Sequence, residues 1–201
     1  NEKPTSSKDP FALRRAAIGL LRTIIENNLV IKISDLIDYF IKTYSEQGVE
    51  DLNKQVKKDL MIFFRDRMKN ILKEKKIRPD VIEASISSHF NDNFLELYKK
   101  TIIMNKFISK EIGKNALSTY KRASNILEQE KLTTKNGPDA VLFKFEEEKE
   151  LFERINSIRK AFTIKEEKKN YENHLKLLSD TKLSTDKFFD NVKVNDENKD
   201  L

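Results

Sequence analysis

Four glycines and four prolines in 201 residues are too few turn-formers for a chain of short strands joined by tight turns, so the fold has to be built from helices. The apolar residues agree with this. Ala17, Leu21, Ile24 and Ile25, joined by Leu13 and Leu20, recur at three- and four-residue spacing, which places them on one side of a helix. A hydrophobic share of 38%, with 13 Phe and 5 Tyr, can fill packed interiors, while 36% charged residues will solvate the outer faces. Because single domains cluster near roughly 100 to 150 residues, the length predicts two units. The expectation is an all-α chain of two packed helical units.

Helix signals can be followed along the chain. Asp9-Pro10 predicts a start in which Asp caps free amides and Pro occupies the first helical position, with the helix running to about Asn27. Ser34 reads as the cap of a second helix through about Tyr44, with Leu36, Ile37, Phe40 and Ile41 inward and Gly48 breaking it. A third helix is expected from about Leu52 to Lys75, with Leu60, Phe63, Phe64, Met68, Ile71 and Leu72 as its core stripe. Pro79 opens a short fourth. The polar stretch Ser87-Ser88-His89-Phe90-Asn91 then marks the boundary, giving units of residues 1–87 and 88–201.

Longer helices follow, one from about Asp92 to Phe107 and one capped by Ser109 from about Lys110 to Glu130. Asn136-Gly137-Pro138 is a loop. After it come a helical stretch from Asp139 to about Phe162, broken near Lys144, and a last pair, Glu166 to Leu178 and Ser184 to Val192. The tail from Asn195 is expected to be mobile. The polar start without Met suggests a chain entered mid-protein.

Catalytic constellations are missing from the sequence. There is no Cys, hence no thiolate nucleophile or thiolate metal site, and the two histidines, His89 and His174, lie 85 residues apart without ligand spacing. No run approaches the roughly 18 to 20 apolar residues of a membrane span. Glu146-Glu147-Glu148 cannot converge on one atom, because consecutive helical residues point about 100° apart; the run reads instead as a solvated first turn favoured by the helix dipole. No metal site, no catalytic residue and no membrane partner are therefore expected, which disfavours a free-standing nuclease or phosphohydrolase.

The net charge of +6 suggests an anionic partner. Arg occupies only positions 14, 15, 22, 65, 67, 78, 122, 154 and 159, however, and a Lys excess of this kind can follow from AT-rich coding alone. Distribution says more than the total. Ten basic residues face three acidic ones between Lys54 and Arg78, whereas 13 face 15 from Asp139 to Leu201.

One helix face carries binding chemistry. Ala116, Tyr120, Ala123 and Leu127 form an apolar stripe expected to face the core, while Ser118, Lys121, Arg122 and Asn125 fall within about 100° on the opposite side. Lys and Arg neutralise phosphates, Arg also stacks on or forks to a base, and Asn can read a base edge, so such a set suits RNA as well as an ordinary solvated face. Phe188-Phe189, beside Lys187 and Lys193, poses a similar choice between base stacking and core packing, and at least one Phe is expected in the core.

Three collinear segments resemble one family. Pro4-Thr5-Ser6-Ser7-Lys8-Asp9-Pro10-Phe11-Ala12-Leu13-Arg14-Arg15-Ala16-Ala17-Ile18-Gly19 resembles the P-T-x-x-x-D-P-F-A-L-R-R-x-A-x-G segment of the β subunit of bacterial-type glycyl-tRNA synthetase. Tyr120-Lys121-Arg122-Ala123-Ser124-Asn125-Ile126-Leu127 resembles its [Y/N]-K-R-x-x-N-I-L, and Phe188-Phe189-Asp190-Asn191-Val192-Lys193-Val194-Asn195 its F-F-D-x-V-x-V-x. The resemblance implies the C-terminal part of that subunit, a helical region followed by a DALR-type anticodon-binding bundle. That family continues past this point with an acidic linker and a further helix, so a bundle lacking its last helix is expected.

As the resemblance has it, ATP and Mg²⁺ are used by the α subunit, this part holds no cofactor, and two α and two β subunits assemble in the cytoplasm. The partner it implies is glycine tRNA, with Lys121, Arg122, Asn125 and Ser118 as contacts and Arg14, Arg15, Lys187 and Lys193 as further candidates. The competing reading is a helical scaffold whose first or third helix docks on the α subunit or on neighbouring domains.

Overall fold

The computed structural model describes Asp9 and residues 11–50, 52, 54–87, 92–130, 137–163 and 170–193, and among these it is helical without a strand. The helices are α1 (Leu13–Glu26), α2 (Ile33–Glu46), α3 (Lys54–Glu74), α4 (Pro79–Ser87), α5 (Phe94–Ile108), α6 (Glu111–Glu130), α7 (Glu146–Thr163), α8 (Tyr171–Ser179) and α9 (Lys182–Asn191). A 3-10 turn, Ala140–Leu142, precedes α7. Pro10, His89, the stretch 88–91, residues 166–169 and the tail from 194 lie outside the described residues.

In the first unit α1, α2 and α4 all pack on α3. Leu21, Ile24, Ile33, Met68, Leu72, Ile82 and Phe94 are completely enclosed; the apolar spacing of α1 and α3 predicts Leu21, Ile24, Met68 and Leu72 among these, but Leu13, Leu20 and Leu60 of the same stripes are exposed. Several local expectations are corrected. Ala12 adopts a left-handed conformation, φ 55°, so α1 starts at Leu13 rather than at Pro10, and Asp9 caps it from further back by accepting the Arg14 N–H at 3.2 Å. α2 begins at Ile33, before Ser34, whose hydroxyl donates to Asp35 instead of capping. Phe40 points outward, 51% exposed, where it stacks with Tyr44 and meets Tyr39 edge-on.

The compact units divide between Asn105 and Lys106 and not after Ser87. The reason is α5, whose Phe94, Leu95, Leu97 and Thr101 are buried, with the Phe94 ring 6.2 Å from that of Phe64. The Asn105 side chain also accepts the Arg78 N–H. A polar stretch between helices therefore does not end the first core, because the next helix returns to it.

In the second unit α9 packs on α7 and α6, and α8 on α6 and α7. Its buried apolar side chains are few among the described residues, Ile108 and Ile158, and Ser179, Ser184 and Thr185 are buried as well. The hydroxyls of Ser179 and Ser184 are satisfied by the carbonyls of Lys176 and Thr181, which lets them sit inside. Glu148 closes the start of α7 by accepting the Lys144 and Phe145 N–H groups at 2.7 and 2.8 Å, so the acidic run serves a helix end.

The α5–α6 turn depends on one glycine. A β-carbon on buried Gly113 would stand 2.1 Å from the Phe107 carbonyl oxygen and 2.7 Å from the Ile108 α-carbon, whereas one on Gly19 would meet nothing. Gly113→Ala is expected to destabilise the chain by at least about 2 kcal/mol. Gly19→Ala, in an exposed helix interior, should stabilise it by about 0.5 to 1 kcal/mol. Urea unfolding of the two variants checks both signs.

Candidate nucleic-acid interface

The surface of the second unit that carries the predicted contacts is α6. Its half-buried positions are Asn115, Ala116, Leu117, Thr119, Ala123, Ser124 and Ile126, and α8 and α9 pack against it. The stripe expected to face the core is thus only half covered. Ala116 and Ala123 are partly enclosed, but Tyr120 is 68% and Leu127 56% exposed. The covered side is displaced toward Asn115, Thr119 and Ile126. Thr119 tolerates this because its hydroxyl donates to the Asn115 carbonyl at 3.1 Å, so no polar atom is stranded.

Opposite lie the residues with binding chemistry. Ser118, Lys121, Arg122 and Asn125 are all exposed, but they do not form one set. At 100° per residue, Ser118, Lys121 and Asn125 share an arc of about 60° with Lys114, one turn earlier, whereas Arg122 lies at its edge toward the covered side. Lys114 is the member of this row that sequence reasoning passed over. Its signal was the continued four-, three- and four-residue spacing from Lys114 through Ser118 and Lys121 to Asn125.

Arg122 is engaged by α9. Its Nη2 lies 3.4 Å from Asp190 Oδ1 and its Nη1 3.9 Å from Asp186 Oδ1, and its guanidinium carbon sits 4.7 Å above the Phe189 ring. Phe188 and Phe189 are both half-buried and meet edge-to-face at 5.4 Å, so the Phe189 face is covered by Arg122. Lys187 pairs with Glu150 at 3.1 Å, while Lys193 is exposed beyond the end of α9. Arg14 and Arg15 belong to the first unit, Arg14 half-buried and Arg15 exposed, so the eight predicted residues are divided between the units. Among the described residues no group of acidic or histidine side chains is arranged to hold a metal, and no helix is long and apolar enough to cross a membrane.

The first unit carries a different kind of surface. Between α1 and α3 runs an apolar groove of 680 Å³ walled by Leu13, Ala16, Leu20, Val56, Leu60, Ile62 and Phe63, with Asp59 and Asp66 also lining it.

Comparison with known proteins places both units. Residues 1–87 match the family model described as glycyl-tRNA synthetase beta subunit, and residues 116–201 match that of the DALR anticodon binding domain. The chain belongs to the glycyl-tRNA synthetase beta subunit family. It is 37% identical over 195 residues to the glycine-tRNA ligase beta subunit of Rickettsia africae, covering 97% of this chain and 28% of that relative. It is 33% identical over 202 residues to that of Ruegeria sp. strain TM1040, covering 98% of this chain and 28% of the relative. The chain thus spans somewhat over a quarter of the length of these curated relatives.

The two adjacent cations of α6, Lys121 and Arg122, should separate in stability measurements. Arg122→Ala removes a forked ion pair and a ring contact and is expected to cost about 1 kcal/mol, whereas Lys121→Ala should cost under about 0.5 kcal/mol. Chemical denaturation compares them directly.

Proposed function

We propose that this chain is the tRNA-recognition portion of a glycine-tRNA ligase and binds the anticodon arm of glycine tRNA. The observation that carries this reading is a coincidence of two findings. The region similar to the DALR anticodon binding domain contains an exposed helix face of Ser118, Lys121 and Asn125, which combines a phosphate-neutralising cation with groups able to read a base edge. Arg15 and Lys193 are exposed and suited to further phosphate contacts. In this reading the chain works in the cytoplasm within an assembly of two α and two β subunits. ATP and Mg²⁺ are used by the α subunit, and this part contributes no cofactor.

Phosphate neutralisation makes such binding steeply salt dependent. The triple change of Lys121, Arg122 and Asn125 to Ala, introduced into the complete ligase, is expected to weaken glycine tRNA binding roughly tenfold or more at 0.15 M salt. Fluorescence titration reads this, and unaltered affinity would remove α6 from the RNA surface.

A second reading applies to the first unit, and the α1–α3 groove supports it. An apolar groove between two helices suits a partner helix from the α subunit or from the rest of the β subunit. The double change of Leu20 and Leu60 to Glu places charge in that groove and is expected to abolish co-elution of α and β subunits, or to expose the neighbouring β-subunit region to protease. Intact assembly with an unchanged digestion pattern would rule out docking there.

A further inference from the structure

We infer that Arg122 is a positioning residue that fixes the rotation of α6, and that the phosphate-binding row of this helix runs through Lys114, Ser118, Lys121 and Asn125. The inference rests on the reading of α6 as a tRNA-facing helix and assigns different work to its two neighbouring cations.

The receptacle for Arg122 is built from one face of α9. Asp186, Phe189 and Asp190 stand at three- and four-residue spacing, so a helix presents carboxylate, ring and carboxylate together to a single guanidinium. Asp186 is held in turn by Lys182. An incoming phosphate at Arg122 would meet two carboxylates along with the two cations that pair with them, a set with no net positive charge to offer. To use Arg122, the RNA would have to displace both carboxylates and then lie against them.

The row on the other side carries no such burden. Lys121 and Asn125 are exposed, and among the described residues Lys114 pairs with exposed Glu111 at 3.5 Å within the same helix, a weak pair that exchanges readily. From Lys114 to Asn125 the row extends about 16 Å along one edge, enough to follow several nucleotides. Its direction depends on the rotation of α6 about its axis, and the Arg122 contact is a cross-link between α6 and α9 that resists that rotation.

Charge counting separates contact from positioning. Glycine tRNA is titrated against the complete ligase across several salt concentrations. Lys114→Ala and Lys121→Ala are each expected to weaken binding several-fold and to lower the salt slope by roughly one. Arg122→Ala should weaken binding several-fold at every salt with the slope unchanged. Arg122→Lys, which keeps the charge and loses the fork, should behave like Arg122→Ala. The double change of Asp186 and Asp190 to Asn should also weaken binding, although it makes the surface more positive. A slope reduced by roughly one in Arg122→Ala, wild-type affinity in Arg122→Lys, or tighter binding by the Asn pair would put Arg122 on the RNA and overturn the positioning role. An unchanged slope in Lys114→Ala would overturn the row. If the triple change of Lys121, Arg122 and Asn125 to Ala also left affinity unaltered, the tRNA reading itself would fail, and this assignment with it.

Discussion

The Phe107 carbonyl approaches residue 113 so closely that any β-carbon there would collide with it, and the start of α6 depends on this approach. The turn is short, with the Lys110 N–H donating to the Phe107 carbonyl and the Gly113 N–H to that of Lys110. Once this corner is set, α6 begins in a defined phase, and everything displayed on its surface follows from 100° steps counted from Glu111. A corner fixes a phase at one end only. Because the described interior of the second unit has few large buried side chains, apolar packing alone gives limited resistance to twisting further along the helix. Charged and polar contacts to α9 supply what the core does not: Arg122 from α6, and Glu150 and Glu147 of α7 to Lys187 and Asn191.

Fold class and the positions of most helices were legible in the sequence because they follow from local quantities. Scarce turn residues, apolar periodicity and a proline at the start of α4 act within a few residues of where they occur, and the structure agrees with them. The errors differ in range. Ala12 in a left-handed conformation and Ser34 bonding its neighbour Asp35 are settled within a few residues, whereas α5 returns to the first core through a distant contact, Phe94 on Phe64. Phe40 is a local case. Its spacing fits an inward stripe, yet its neighbours Tyr39 and Tyr44 give it aromatic partners on the outside.

The candidate site was legible to the same depth and no further. Residue type and spacing pick out α6, and the match to the anticodon-binding domain model covers it from Ala116 on. Spacing alone ranks Lys121 and Arg122 as equals, since both are adjacent, basic and exposed. What distinguishes them is Asp190, 68 residues further on. The apolar stripe failed for a related reason: Thr119 looks polar in sequence, but its hydroxyl is used within its own helix, so it is covered while Tyr120 is not.

The same accounting applies to the net charge. The densest basic stretch, Lys54 to Arg78, loses much of its freedom once partners are assigned. Lys57 pairs with Asp38, Lys69 with Glu83 and Arg78 with Asp80, while Arg67 lies 4.9 Å above the Phe63 ring. α2, which packs on that helix, carries Asp35, Asp38 and Glu46 against Lys42 alone, beside exposed aromatics. Exposed aromatics beside mixed charges are features of a protein-binding surface. A sequence excess of positive charge is therefore not a map of where an anion binds. In the proposed reading the map is what remains after the fold has taken its own ion pairs, and on α6 that subtraction removes Arg122 and leaves the Lys121 edge.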